Sequence, residues 1–151
     1  MIWPNYRPRS LSAMSLSKID ALPNKTEALV ILSIGAIEQH GPHLPVGVDA
    51  FLGQIFLEES LALLPDDCPV YVAPPIQIAK SNEHVDFPGS LIISRNSLRK
   101  KILAIGHQLE IWGLKNICIL NTHGGNASVV KSALRELSLC CLLYTSDAAD
   151  E

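Results

Sequence analysis

Residues 27–35, EALVILSIG, are an unbroken apolar run of strand length, and residues 50–64, AFLGQIFLEESLALL, carry apolar side chains at helical spacing with charges between them. Strand followed by helix is the unit of an α/β fold, and the rest of the chain repeats it. Residues 69–74 (PVYVAP) are β-branched and aromatic and are closed by Pro74-Pro75, and Ser90–Ile93 reads as a short strand behind Pro88-Gly89. Ser94 or Asn96 can cap a helix running to about Trp112, where Gly113 takes the place favoured at a helix C-terminus. Asn116–Leu120 is the third clear strand. Asn126 is placed to N-cap a last helix, in which Val129, Val130, Ala133, Leu134 and Leu137 recur at helical spacing. This βαβαβα order predicts a mainly parallel sheet with helices on both faces and ligands at the carboxyl ends of its strands.

Two polar clusters fall at those ends. Residues 35–49, GAIEQHGPHLPVGVD, bring two carboxylates and two imidazoles into a stretch shaped by Gly and Pro directly after the first strand. Residues 121–126, NTHGGN, follow the third strand. Divalent ions need oxygen and nitrogen ligands held close by backbone that cannot relax, so the pattern reads as a metal site and the chain as a metal-dependent hydrolase.

With 151 residues and 48% hydrophobic composition, the chain suits one domain with a packed core. Its mean hydropathy is +0.23 and its pI about 5.9. Lys and Arg stand singly or as the pair Lys100-Lys101, which gives no basic stripe for nucleic acid. No apolar run reaches membrane-spanning length, and residues 1–20 lack the continuous apolar core of a signal peptide, so a cytoplasmic location is expected. The four cysteines, Cys68, Cys118, Cys140 and Cys141, form no CxxC pair, and Cys68 and Cys118 read as reduced core thiols.

Residues 141–151, CLLYTSDAADE, break the preceding helical pattern and resemble translated adapter sequence. Their three acids, Asp147, Asp150 and Glu151, account for the whole formal charge of −3. The expected organisation is a loose Pro-containing arm at 1–16, an α/β domain at 17–140 and a non-native tail at 141–151, which is set aside from fold reasoning.

Three blocks, SIGAIEQHGPHLPVGVD (33–49), KSNEHVDFPGSL (80–91) and LNTHGGNAS (120–128), resemble in order and spacing those of the creatininase family of metal-dependent amidohydrolases. The resemblance runs from about residue 25 to 139. It implies a three-layer α/β/α fold and a dinuclear centre filled by zinc, manganese or iron. It also implies hydrolysis of a C–N bond in a small-molecule amide or short peptide, and a homo-oligomer, commonly a hexamer. Carried over residue by residue, Glu38 and His40 each ligate one metal, Asp49 bridges the two, and His123 completes the site shared with Glu38. The metals lower the pKa of a bound water, so that hydroxide is available at neutral pH, and polarise the amide carbonyl. The Glu38-x-His40 spacing suits this, since residues two apart on an extended segment point to one side. Zinc is favoured over manganese for such ligands by the Irving–Williams order.

Ser81 matches the family's substrate-contacting serine. Glu83 and His84 share its block and line the pocket on one reading; on the other, Asn82, Glu83 and Asp86 form a solvated turn. Thr122 and Gly124 are assigned to the substrate side. Gly124 and Gly125 either offer backbone N–H groups to an anion or make a tight turn. His43 either orients a ligand by hydrogen bonding or stabilises its loop. His107 reads as an ordinary helix residue. The catalytic acid and base are not assignable from these blocks.

In creatininases proper the second residue after the histidine of the third block is a metal-binding carboxylate, where this chain has Gly125. Relatives with the HGGN form, which include pyrimidine deformylases and peptide-processing enzymes, take that carboxylate from a later segment. The same segment brings the glutamate and histidine that handle protons. The chain therefore reads as an N-terminal fragment, incomplete for catalysis by itself. A noncatalytic metal-binding or interaction fragment is the alternative, and a truncated product without function a third reading. A nucleophile enzyme is disfavoured because neither Ser81 nor an internal cysteine sits in a recognisable elbow.

Overall fold

The structure is a computed structural model that describes residues 4–137 in full and, beyond them, the backbone of 143–145. Four strands, β1 (Leu29–Ile34), β2 (Val70–Val72), β3 (Asn116–Asn121) and β4 (Leu143–Thr145), form one parallel sheet in the order β2-β1-β3-β4. The helices are α1 (Leu16–Asp20), α2 (Val48–Ala62), α3 (Arg95–Ile111) and α4 (Ala127–Glu136).

Side chains alternate across a strand, so each strand feeds two cores. Val30, Leu32 and Ile34 of β1, with Ile117 and Ile119 of β3, join a cluster containing Leu98 and Ile102 of α3 and Val130 and Ala133 of α4. On the other face Leu29 and Ile31, with Val70 and Val72 of β2, pack with Leu57 and Leu61 of α2. The arrangement is the expected three-layer α/β/α fold. α3 begins at the Ser94 cap, whose hydroxyl accepts from the Ser97 N–H at 3.0 Å, and ends at Gly113, whose φ of +86° admits the left-handed turn.

Three expectations need correction. Residues 90–93 make no strand: Leu91 and Ile92 form single bridges to two different segments, at Ile37 and Ala79, so neither grows into a ladder. The arm is not loose where it is described. Tyr6 and Leu11 are buried, the Tyr6 hydroxyl donates to Gln54 at 2.7 Å, and Arg9 donates to the carbonyls of Cys68 at 2.6 Å and Pro65 at 2.5 Å. Those carbonyls sit at the entry to β2, and the guanidinium satisfies acceptors the sheet does not. Asn126 stands at the N-terminus of α4, but its side chain makes no capping bond. The expected tail lies outside the described residues except for 143–145, whose backbone pairs with β3.

Candidate metal centre

β1 and β3 are neighbours, with Ile34 opposite Asn121, whereas β2 lies on the far side of β1. The chain thus changes direction across the sheet beside β1, and a crevice opens at the carboxyl ends of β1 and β3, where such folds hold ligands. Both polar clusters leave from these two ends.

Local packing seats them. A Cβ on Gly35 would lie 2.8 Å from the Ala50 nitrogen, so only glycine lets the first turn of α2 close on the strand end. The Thr122 hydroxyl donates to the Asp49 carbonyl at 2.7 Å and ties that turn to the end of β3. Asp49 lies in the first turn of α2, where the helix dipole favours a carboxylate.

Glu38 and Asp49 are only 4% and 3% exposed. One ligand atom from each of Glu38, His40 and Asp49 lies within 4.8 Å of the others. His40 Nε2 is 3.2 Å from Asp49 Oδ1, and His123 Nδ1 is 3.2 Å from both Glu38 Oε1 and Asp49 Oδ2. The remaining ring nitrogens face backbone carbonyls: His40 Nδ1 is 3.1 Å from the Glu38 carbonyl, and His123 Nε2 is 2.8 Å from that of Lys80. A carbonyl can only accept, so each outer nitrogen carries a proton. In a neutral ring the inner nitrogen then presents its lone pair to the carboxylates. That is the arrangement of a metal-ligating histidine whose second nitrogen is fixed by a hydrogen bond.

Apart from the ring nitrogens that face them, the buried Glu38 Oε2 and Asp49 Oδ2 have no hydrogen-bond partner among the described residues. Two adjacent buried carboxylates call for positive charge. Without metal, that charge is a proton. Burial works to lower the His123 pKa, but the carboxylates of Asp49 and Glu38 outweigh it and hold the pKa up at about 10. Burial works to raise that of Glu38, but His123, Ser81 and His84 hold it below the ordinary value. The donor set, two carboxylates and two imidazoles, fits a divalent ion of the zinc or manganese type.

The residues expected on the substrate side divide. Glu83 is exposed and paired with Lys80 at 3.2 Å, Gly124 is exposed, and His84 is half-buried at the rim. Ser81, by contrast, is 0% exposed, and its hydroxyl sits 3.1 Å from His84 Nδ1, which is 3.5 Å from Glu38 Oε2. Thr122 is likewise buried against backbone. Ser81 stands at the start of the 3₁₀ turn Asn82–His84, and Thr122 is bonded to the first turn of α2. His43 is exposed on its loop, and His107 is an exposed helix residue 3.9 Å from Glu110. The Lys80 carbonyl carried no signal in the sequence, since a main-chain acceptor leaves no mark on residue type.

A family model described as creatinine amidohydrolase matches residues 12–145. The mycofactocin precursor peptide peptidase of Mycobacterium ulcerans is 31% identical over 132 residues, 84% of this chain and 52% of that protein. The peptidase of the same name from Mycolicibacterium smegmatis is 34% identical over 110 residues, 70% of this chain and 43% of that protein. The chain thus spans about half the length of the curated relatives it matches. Among solved structures, a Zn-Zn type creatininase mutant superposes with a TM-score of 0.75 at 21% identity, covering 90% of this chain and 57% of that one. A structure named creatininase Mn gives 0.77 at 21% identity, with coverages of 91% and 58%.

Proposed function

The chain belongs to the creatininase family, and from that premise we propose that its Glu38, His40, Asp49 and His123 bind divalent metal for hydrolysis of a C–N amide bond in a small molecule or short peptide. One observation carries the reading: His40 turns its inner ring nitrogen to Asp49 and His123 turns its own to Glu38 and Asp49, so two imidazoles converge on two buried carboxylates. Asp49 has one oxygen beside each histidine, which suits a bridging role between two ions. Bound ions would supply a water of lowered pKa and Lewis-acid polarisation of the scissile carbonyl.

The chain's own residues do the positioning. Ser81 and His84 steady Glu38, Thr122 anchors the turn that carries Asp49, and the carbonyls of Glu38 and Lys80 hold the outer ring protons of His40 and His123. Glu83, His84 and Gly124 at the rim are the substrate-facing groups of this proposal. Zinc is the preferred ion by ligand chemistry, with manganese and iron as alternatives. Among the described residues no helix is long and apolar enough to cross a membrane. A cytoplasmic homo-oligomer is proposed, the assembly supported by the exposed Phe51, Ile55 and Phe56 of α2.

The test is to strip the protein with chelator, reload it with Zn²⁺ or Mn²⁺, count bound ions by mass spectrometry of the metals, and assay creatinine and short peptides for released amine. Stoichiometric metal held by these residues is the expected result, with metal-dependent amine release expected of a protein of its relatives' full length; absence of stoichiometric metal refutes it. A noncatalytic metal-binding fragment is the second reading, favoured by Gly125, which brings no carboxylate to the centre. It predicts metal uptake with no amine release.

A further inference from the structure

Asn126 is 0% exposed, lies outside the proposed ligand set and does not cap its helix. Its side chain instead joins two loops. Oδ1 accepts the Lys80 N–H at 3.2 Å and Nδ2 donates to the Gly35 carbonyl at 3.0 Å. One partner is a donor and the other an acceptor, so the amide has a single possible orientation. Lys80 is the residue whose carbonyl accepts from His123 Nε2 at 2.8 Å, and Gly35 is the hinge against which the turn carrying Asp49 closes. The Asn126 backbone N–H in turn donates to the His123 carbonyl at 3.2 Å.

The geometry assigns Asn126 a positioning role: it holds the backbone N–H of Lys80, and thereby helps place the same residue's carbonyl, which keeps the His123 proton on Nε2 and leaves Nδ1 turned into the centre. One amide thus locks together the loops after β1, β2 and β3. The role rests on the reading of His123 as a metal ligand. Outer partners of this kind cost about 10–100-fold in metal affinity when removed, and one acting through an intervening peptide belongs at the low end.

The experiment compares Asn126→Ala and Asn126→Asp with Val129→Ala, a core truncation in the same helix that removes none of these hydrogen bonds. Two readouts are taken on the full chain: Zn²⁺ affinity by chelator competition, and the His123 Nε2–H resonance in ¹H–¹⁵N spectra with and without Zn²⁺. Asn126→Ala is expected to lose about tenfold in Zn²⁺ affinity and to lose the protected Nε2–H signal. Val129→Ala should keep both. Asn126→Asp retains an oxygen toward the Lys80 N–H and should keep the signal, which decides the matter if the alanine variant does not fold. An unchanged Nε2–H signal and Zn²⁺ affinity in Asn126→Ala, or loss of the signal in a folded Asn126→Asp, overturns the role. If wild type takes up no Zn²⁺, the metal reading fails, while the signal in metal-free protein still decides what Asn126 does.

Discussion

Gly125→Ala tests the centre without replacing a ligand. A Cβ at this position would collide with His123 Nε2, and would lie 2.9 Å from Glu83 Oε1 and 3.1 Å from His123 Cε1, against 3.4–4 Å for ordinary contact. Glu83 is an exposed side chain and can swing away; the His123 ring cannot, since it is buried and held by Lys80. The ring must therefore shift or tilt and give up its 2.8 Å hydrogen bond to the Lys80 carbonyl. Overpacking of this sort costs about 1–3 kcal/mol and the lost hydrogen bond about 1 kcal/mol. For a domain of this size each kcal/mol lowers Tm by roughly 2–4 °C, so the metal-free variant should melt on the order of 5–15 °C lower. Misdirecting Nδ1 should also weaken Zn²⁺ binding by about 10–100-fold. Thermal melts across a Zn²⁺ series report both quantities, because a ligand that binds only the folded state raises Tm once its concentration passes Kd. A lower metal-free Tm with an unchanged Zn²⁺ midpoint would refute the assignment of His123 as a fixed ligand. An unchanged Tm would refute the packing argument itself.

Removing His40 should leave the ion position of Glu38, Asp49 and His123 intact, so His40→Ala is expected to bind one ion, whereas Asp49→Ala, which takes an oxygen from both sides, binds none; metal counting after gel filtration separates the two. The His123 pKa of about 10 in metal-free protein lies above the ordinary 6.5, so its ion pair stabilises the fold fully below about pH 6.5, and the contribution is lost as pH rises through about 10. Metal-free Tm should fall across that window. Zn²⁺ must displace the same proton, so its apparent affinity should rise about tenfold per pH unit below pH 10, and calorimetry in buffers of different ionisation enthalpy should show proton release. Arg9→Ala removes one donor from each of the Cys68 and Pro65 carbonyls, which keep a backbone N–H, and is expected to cost about 1 kcal/mol in denaturant melts while leaving Zn²⁺ affinity unchanged.

What the sequence disclosed, and what it hid, follows from where each signal is written. β1, β3 and α3 were legible because burial on both faces of a central strand demands a continuous apolar run, and because Ser94 and Gly113 mark the helix ends by residue type. The arm was not, because its packing rests on Tyr6, Leu11 and a guanidinium that binds main-chain carbonyls 56 and 59 positions away. Asn126 looked like a cap for the same reason: its partners, Lys80 and Gly35, are main-chain groups 46 and 91 positions away, and no local pattern encodes them. Ser81 was placed on the substrate side by resemblance of its block, but burial depends on how the chain packs around it, and Ser81 is buried at the start of its turn.

The strand order makes the centre a property of the fold. Had β1 and β2 been exchanged in the sheet, the loop after β1 would have lost its neighbour, and Glu38 and His123, 85 positions apart in sequence, would not meet. Adjacency of β1 and β3 brings the two carboxylates and two imidazoles together, but adjacency alone would leave two rings free to rotate. Both are locked by main-chain carbonyls, that of Glu38 for His40 and that of Lys80 for His123, which hold their place as long as the backbone does. The cost of bringing Glu38 and Asp49 together out of water is thus met by a backbone framework already fixed before any ion arrives. On the proposed reading such a site is preorganised for a cation, and without one the same carboxylates hold the His123 pKa up at about 10.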